Sequence, residues 1–333
     1  MSIPRRGLLA AAACAGMAPC LRPASAQPAW PARPVRFVVP FPPAGTTDIA
    51  ARILAERLQF RLGQAFPIEN RAGAGGNIGA DVVAKGEADG YTILMQAISS
   101  GAINYSLYGA QMPYRPADLA AAGLLIRVPN VIFVTNNLPA KTLRELVAMA
   151  KAQPGKLNFG SSGAGTSLHM TGELMKLEAG IDLTHVPFRG AGPMLAEVIA
   201  GRVEVGIDNL PSAIGHLREG RLRALAVTTK ERTPALPAVP TTAEEGFPGI
   251  EATAWFGVQV KAGTPRPVID RLGAEIDAIV KEPETRARMA DLGGMMPGLT
   301  PDGGTTPAAF EAFVQQEIAR WAEVVRRSGA KVE

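Results

Sequence analysis

The sequence predicts an α/β protein in two lobes with a cleft between them. Three observations carry this. Apolar strand segments alternate with helical segments almost throughout. Two strand–glycine–helix turns, Phe41 to Asp48 and Ser161 to Ser167, stand about 120 residues apart, farther than one βαβ unit extends, so each lobe is assigned one. A chain of 333 residues with 47 % apolar content can bury two cores.

The first residues read as an export signal. Arg5 and Arg6 precede an apolar run from Leu8 to Met17, and Ala24-Ser25-Ala26 offers a small-x-small cleavage site. Residues 1–26 are therefore expected to be removed, with the mature chain starting at Gln27. The arginine pair before Gly7-Leu8-Leu9 fits a twin-arginine signal loosely, and the general secretory route stays equally open. Both cysteines, Cys14 and Cys20, fall inside this segment, so the mature chain holds no disulfide, thiol nucleophile or cysteine-ligated metal. Loss of Arg5, Arg6 and Arg22 reduces the formal charge from +4 to +1, which removes the electrostatic argument for nucleic acid.

Val35 to Pro40 is the first strand. It enters the turn Phe41 to Asp48, followed by a helix with Ile49, Ile53, Leu54 and Leu58 on one face. A short strand (Ala65 to Asn70), a glycine cluster (Gly73, Gly75, Gly76, Gly79) with a helix through Ala84, and a strand from Thr92 to Gln96 come next. Val128 to Thr135 is a wholly apolar strand, and Thr142 to Ala152 a helix stopped by Pro154-Gly155. Lys156 to Phe159 leads into the second turn, and a helix leaves it from Thr166 to Glu178. Strands at Thr184 to Phe188, Val203 to Ile207 and Ala224 to Thr228 alternate with helices at Gly192 to Ala200 and Pro211 to Glu219. After a proline-rich loop, Thr253 to Val260 forms a strand. Three helices close the chain, the last with Phe310, Phe313, Val314, Ile318, Trp321, Val324 and Val325 on one packing stripe. Mainly parallel sheets are expected. The strands at Val128 and Thr253 are read as crossovers, dividing the chain into one lobe of 33–128 plus 254–333 and a second of 129–253.

The second turn has P-loop spacing with Thr166 where the lysine belongs. Its glycines and the following helix start aim backbone N–H groups at one point, which suits an anion and not nucleotide hydrolysis. Ser161, Ser162, Gly165, Thr166 and Ser167 are candidate contacts; so are Phe41 as a wall and Gly45, Thr46 and Thr47 as donors in the first turn. The glycine cluster lacks dinucleotide spacing and is read as placing Asn77 near the cleft. Asp208 ends a strand, where ligands of α/β sheets gather, or simply makes a turn. His169, His185 and His216 lack metal-ligand spacing, and His169 is either structural or a donor beside the anion. Arg189 can pair a carboxylate bidentately, although surface ion pairing is the commoner fate of a loop arginine. No serine sits in a G-x-S-x-G elbow, which argues against the rival reading of an exported hydrolase using Ser162 or Ser167.

With these residues in view, the chain resembles the Bug family, the exported solute-binding proteins of tripartite tricarboxylate transporters. The blocks that carry the resemblance include Pro40 to Asp48, Glu69 to Gly79, Asp89 to Thr92, Ser161 to His169, His185 to Gly190, Asp208 to Ser212 and Leu222 to Thr228. The resemblance implies a type II periplasmic-binding-protein fold whose loops Phe41 to Thr47 and Ser161 to Ser167 grip a carboxylate from opposite sides. It also implies a non-enzymatic, cofactor-free periplasmic monomer. That protein would carry a small mono- or dicarboxylate to membrane permease subunits, or report it to a membrane sensor. Ala44 departs from the glycine usual in the family.

Overall fold

The computed structural model describes residues 30–331, so the expected signal and its cleavage site lie outside the described residues. The chain runs β1 (Arg36–Val39), α1 (Thr46–Leu62), β2 (Ile68–Asn70), α2 (Asn77–Ala84), β3 (Thr92–Ala97), α3 (Asn104–Tyr108), β4 (Leu119–Thr135), α4 (Leu143–Ala152), β5 (Asn158–Ser161), α5 (Ser167–Ala179), β6 (Thr184–Pro187), α6 (Ala191–Ile199), β7 (Val205–Asn209), α7 (Leu210–Arg218), β8 (Leu222–Val227), β9 (Thr253–Lys261), α8 (Arg266–Lys281), α9 (Pro283–Asp291) and α10 (Pro307–Ser328).

The strand order is β2-β1-β3-β9-β4-β7-β5-β6, with β8 also on β4. The outer pairs, β1 with β2 and β3, and β5 with β6 and β7, are parallel. The central pairs of β4 with β7, β8 and β9, and of β3 with β9, are antiparallel. The expectation of mainly parallel sheets thus holds only away from the centre. β4 and β9 run against each other as long crossing strands, and parallel βαβ connections serve only the segments around them.

β4 also begins earlier than its apolar run suggests. Residues from Leu119 to Pro129 pair with β9, and those from Asn130 to Thr135 pair with β7 and β8. Its alanine-rich first half has weak strand propensity, and burial between neighbours supplies what propensity lacks. Where β4 meets β7, Gly206 lies opposite Phe133. A Cβ at Gly206 would stand 2.1 Å from the Phe133 ring, so the ring occupies the space a side chain would need.

One core gathers β1, β3, β9 and the first half of β4 against α1, α8 and α10. Two more cover the faces of the second sheet, one with α4 and α5 and one with α6 and α7. On α10, Phe310, Val314 and Trp321 are buried, and Phe313, Ile318, Val324 and Val325 pack at the margin of that core. Buried Glu317 on the same helix accepts the indole N–H of Trp255 from β9 and of Trp321, both at 3.1 Å on the same carboxylate oxygen.

Candidate functional site

Each turn is built by a local rule. β1 ends in the loop from Pro40 to Gly45, and α1 starts with Thr46, Thr47 and Asp48 all buried. Asp48 accepts bonds from the Ala44 N–H at 3.0 Å, from Arg52 at 2.8 and 3.0 Å, and from Asn70 at 3.0 Å. Burial alone would raise its pKa; the bonds from Arg52, Asn70 and Ala44 outweigh burial and hold the acid below its ordinary value. Asn70 also donates to the Phe41 carbonyl at 2.9 Å, fixing the loop. Ala44 sits at φ 66°, in the left-handed region that penalises a Cβ. That explains why glycine suits the position. Ala44→Gly is expected to stabilise the protein by about 0.5–1 kcal/mol, strain relief outweighing the added freedom of the unfolded chain; urea denaturation checks this.

β5 ends in the second turn, and Thr166 caps α5 by accepting the His169 N–H at 3.3 Å and donating to the Gly163 carbonyl at 2.7 Å. Gly165 has φ 77°, and a Cβ there would lie 2.4 Å from Asn104 Oδ1. Glycine is therefore required by both conformation and the close approach of the segment following β3.

The two turns meet at a cavity of about 30 Å³. Four helix starts line it: Gly45, Thr46 and Thr47 at α1, Thr166, Ser167 and Leu168 at α5, Gly190 and Ala191 at α6, and Asn209 at α7. Phe41, Ser162 and Asp208 complete the predicted lining, with Pro42 from the predicted loop Phe41 to Thr47, while Ala97, Ile98, Ser99 and Phe256 join it unforeseen. Asn77, Ser161, Gly165 and His169 do not line it. Asn77 accepts from Asn104 at 2.8 Å. Ser161 is fully buried and bonded to His185 Nε2 at 2.7 Å. His169 stacks on His185, ring centres 4.2 Å apart, and its Nδ1 accepts the Gly165 N–H at 3.3 Å. These residues brace the turn from behind.

The Ser161–His185 pair is the nearest approach to a hydrolase dyad. Ser161 faces away from the cavity, and burial, with His169 and Lys176 adding to it, pushes His185 down to about 3, far below the range useful to a general base at neutral pH. Among the described residues, no cluster of three or more His, Cys, Asp or Glu side chains is placed to hold a metal.

Asp208 is the cavity's acid and is 1 % exposed. It accepts Ser212 Oγ–H at 2.7 Å and the Asn209 N–H at 2.8 Å. Burial pushes it up to about 7 against the lowering pull of those two bonds. Ser212 in turn receives the Thr46 hydroxyl at 3.1 Å, so a hydrogen-bonded relay joins the start of α1 to the end of β7 across the cavity. Past Phe41, Pro42, Ser162 and Gly190 the cavity opens into a vestibule of about 520 Å³, walled by Tyr108, Phe188 and the glycine cluster and edged by Arg189.

Sequence reasoning missed Ser99, at the carboxyl end of β3, and the α6 start at Gly190. Both positions obey the rule that ligands gather beyond strand ends, Ser99 just past β3 and Gly190 just past β6. Phe256 had no signal, since β9 reaches the cavity only through its place in the sheet.

A family model described as the tripartite tricarboxylate transporter family receptor matches residues 50–330. BugT of Bordetella pertussis is 39 % identical over 306 residues, spanning 91 % of this chain and 92 % of BugT. An R. palustris protein solved with adipate superposes with a TM-score of 0.86 at 39 % identity, covering 91 % of this chain and 100 % of that one. MatC from Rhodopseudomonas palustris, solved with bound malate, gives 0.83 at 33 % identity over 89 % of this chain and 99 % of that one.

Proposed function

The chain belongs to the tripartite tricarboxylate transporter receptor family, and from that premise we propose that it captures a small mono- or dicarboxylate between two lobes and presents it to a membrane permease. The lobes are taken as 33–128 plus 254–333 and 129–253, acting as a monomer without catalysing a reaction. Export through a signal cleaved after Ala26 would deliver the protein to the periplasm. Among the described residues no helix is long and apolar enough to cross a membrane.

The observation that carries the reading is the convergence of four helix N-termini on one cavity lined by hydroxyls and backbone donors. Helix starts leave N–H groups unpaired and carry partial positive charge. Neutral donors hold an anion without burying a cation, so capture stays reversible. Relatives solved with adipate and with malate support a carboxylate as that anion. Asn77, Gly165, Ser161 and His169 contribute by bracing, and Phe41, Gly45, Thr46, Thr47, Ser162, Thr166, Ser167 and Asp208 by lining.

Combining Thr166→Val with Ser167→Leu removes two hydroxyls and fills the cavity. Calorimetry against a carboxylate panel is expected to show at least a hundred-fold loss of affinity, about 3 kcal/mol, against about 1 kcal/mol of stability from the lost cap. Affinity unchanged by this pair would move the ligand to another site.

A further inference from the structure

The vestibule has one charged side chain in its lining, Arg189. Arg189 is exposed at the mouth and makes no ion pair or hydrogen bond with any described residue. A loop arginine on a surface rich in paired arginines is normally neutralised, as Arg202 is by Glu197 and Arg232 by Glu244. This guanidinium instead stands without a partner in a lining otherwise aromatic, glycine-rich and uncharged, and that lining is continuous with the inner cavity through Phe41 and Gly190.

The inner cavity suits one carboxylate and rejects a second. At about 30 Å³ it has little room, and its lining includes buried Asp208 and no lysine, arginine or histidine. A second negative group placed there would meet an acid and no cation. Any further anionic group of the ligand must point outward, where the free guanidinium waits and where Phe41, Tyr108 and Phe188 offer apolar surface to whatever connects the two ends.

Resting on the carboxylate-binding reading above, we propose that Arg189 recognises the distal carboxylate of a dicarboxylate whose two acids are separated by an extended apolar spacer. The inner helix starts hold the near carboxylate, the aromatic walls hold the spacer, and Arg189 sets the preference for two charges over one.

The test is calorimetry of the linear dicarboxylates from succinate to suberate beside monocarboxylates of matching length, on the wild type, Arg189→Gln and Arg189→Lys. The expected result is an optimum within the dicarboxylate series, at least about tenfold tighter than its monocarboxylate counterpart. Arg189→Gln should erase that advantage while leaving monocarboxylate affinity within about twofold, and Arg189→Lys should keep part of it. A dicarboxylate advantage that survives Arg189→Gln, or an equal loss for both series, overturns the assignment while leaving the cleft as a carboxylate site. Absence of binding by either series in the wild type overturns the underlying reading and this inference with it.

Discussion

Asp208→Asn is expected to stabilise the protein by up to about 4 kcal/mol above pH 7 and by almost nothing below pH 4. Unfolding returns this acid to its ordinary value of 3.8, whereas burial in the fold raises it to about 7, a difference worth about 4 kcal/mol when fully expressed. The sign follows from proton counts. Between those two values the folded chain binds the proton more tightly than the unfolded chain. The site's contribution is therefore most favourable at low pH, falls as pH rises from 3.8, and levels off above about 7. Asparagine imitates the neutral acid, keeping an acceptor for the Asn209 N–H and offering its amide to Ser212 Oγ. Denaturant melts across pH 4 to 8 should show the advantage of the variant growing with pH. A constant advantage would mean that Asp208 does not titrate in the fold. The same change reports on the ligand. A carboxylate entering beside ionised Asp208 is repelled, so wild-type affinity should weaken as pH climbs past 7 and Asp208→Asn should flatten that decline.

Glu317→Leu is expected to cost about 4 kcal/mol, which corresponds to a loss on the order of 10 °C in melting temperature. One carboxylate oxygen accepts both indole N–H groups, from Trp255 and Trp321, and both rings are fully buried. Removing the acceptor leaves two donors without water or partner, each costing about 1–3 kcal/mol. Phe310 and Phe313 set their edges against Trp255 with ring centres 5.7 and 5.8 Å away, so the indole cannot swing outward to find water. Glu317→Gln places a carbonyl oxygen where the shared acceptor stood and should cost only about 1 kcal/mol. A leucine variant no less stable than the glutamine variant would show that packing alone fixes α10 to β9.

What the sequence made legible was governed by near neighbours. The start of α5 could be placed within a residue because Thr166 caps it through an atom three positions on. The two glycine-rich turns showed themselves because glycine and hydroxyl residues are needed there for local backbone reasons. The face of α10 was visible as a period of apolar residues. The rest depends on distant partners. The alanines that open β4 become strand only between β9 and the helices that cover it, and the antiparallel pairing of β9 with β3 and β4 joins strands more than a hundred residues apart. Within the candidate site, hydroxyls and glycines at helix starts could be read, but Phe256 and Ala97 could not, because a strand residue enters the cavity only by sheet position. The stack of His169 on His185 was likewise hidden. Nothing in two separated histidines says that they brace the same turn.

The position of β9 has a consequence for how the molecule comes into being. It fills the gap between β3 and β4, although the ribosome makes both of those strands long before Thr253 emerges. Until then β3 and β4 each offer an unpaired edge, and the first core lacks Trp255, Phe256 and the helix that carries Trp321. A nascent chain can assemble β5 with β6 and α5 early, yet it cannot weld its earliest strands to the remainder until nearly the whole length exists. Such long-range closure slows folding and leaves pairing edges open while it waits. The chain therefore stays pliable until late in its own synthesis, and the last strand to arrive is the keystone that turns two partial sheets into one body.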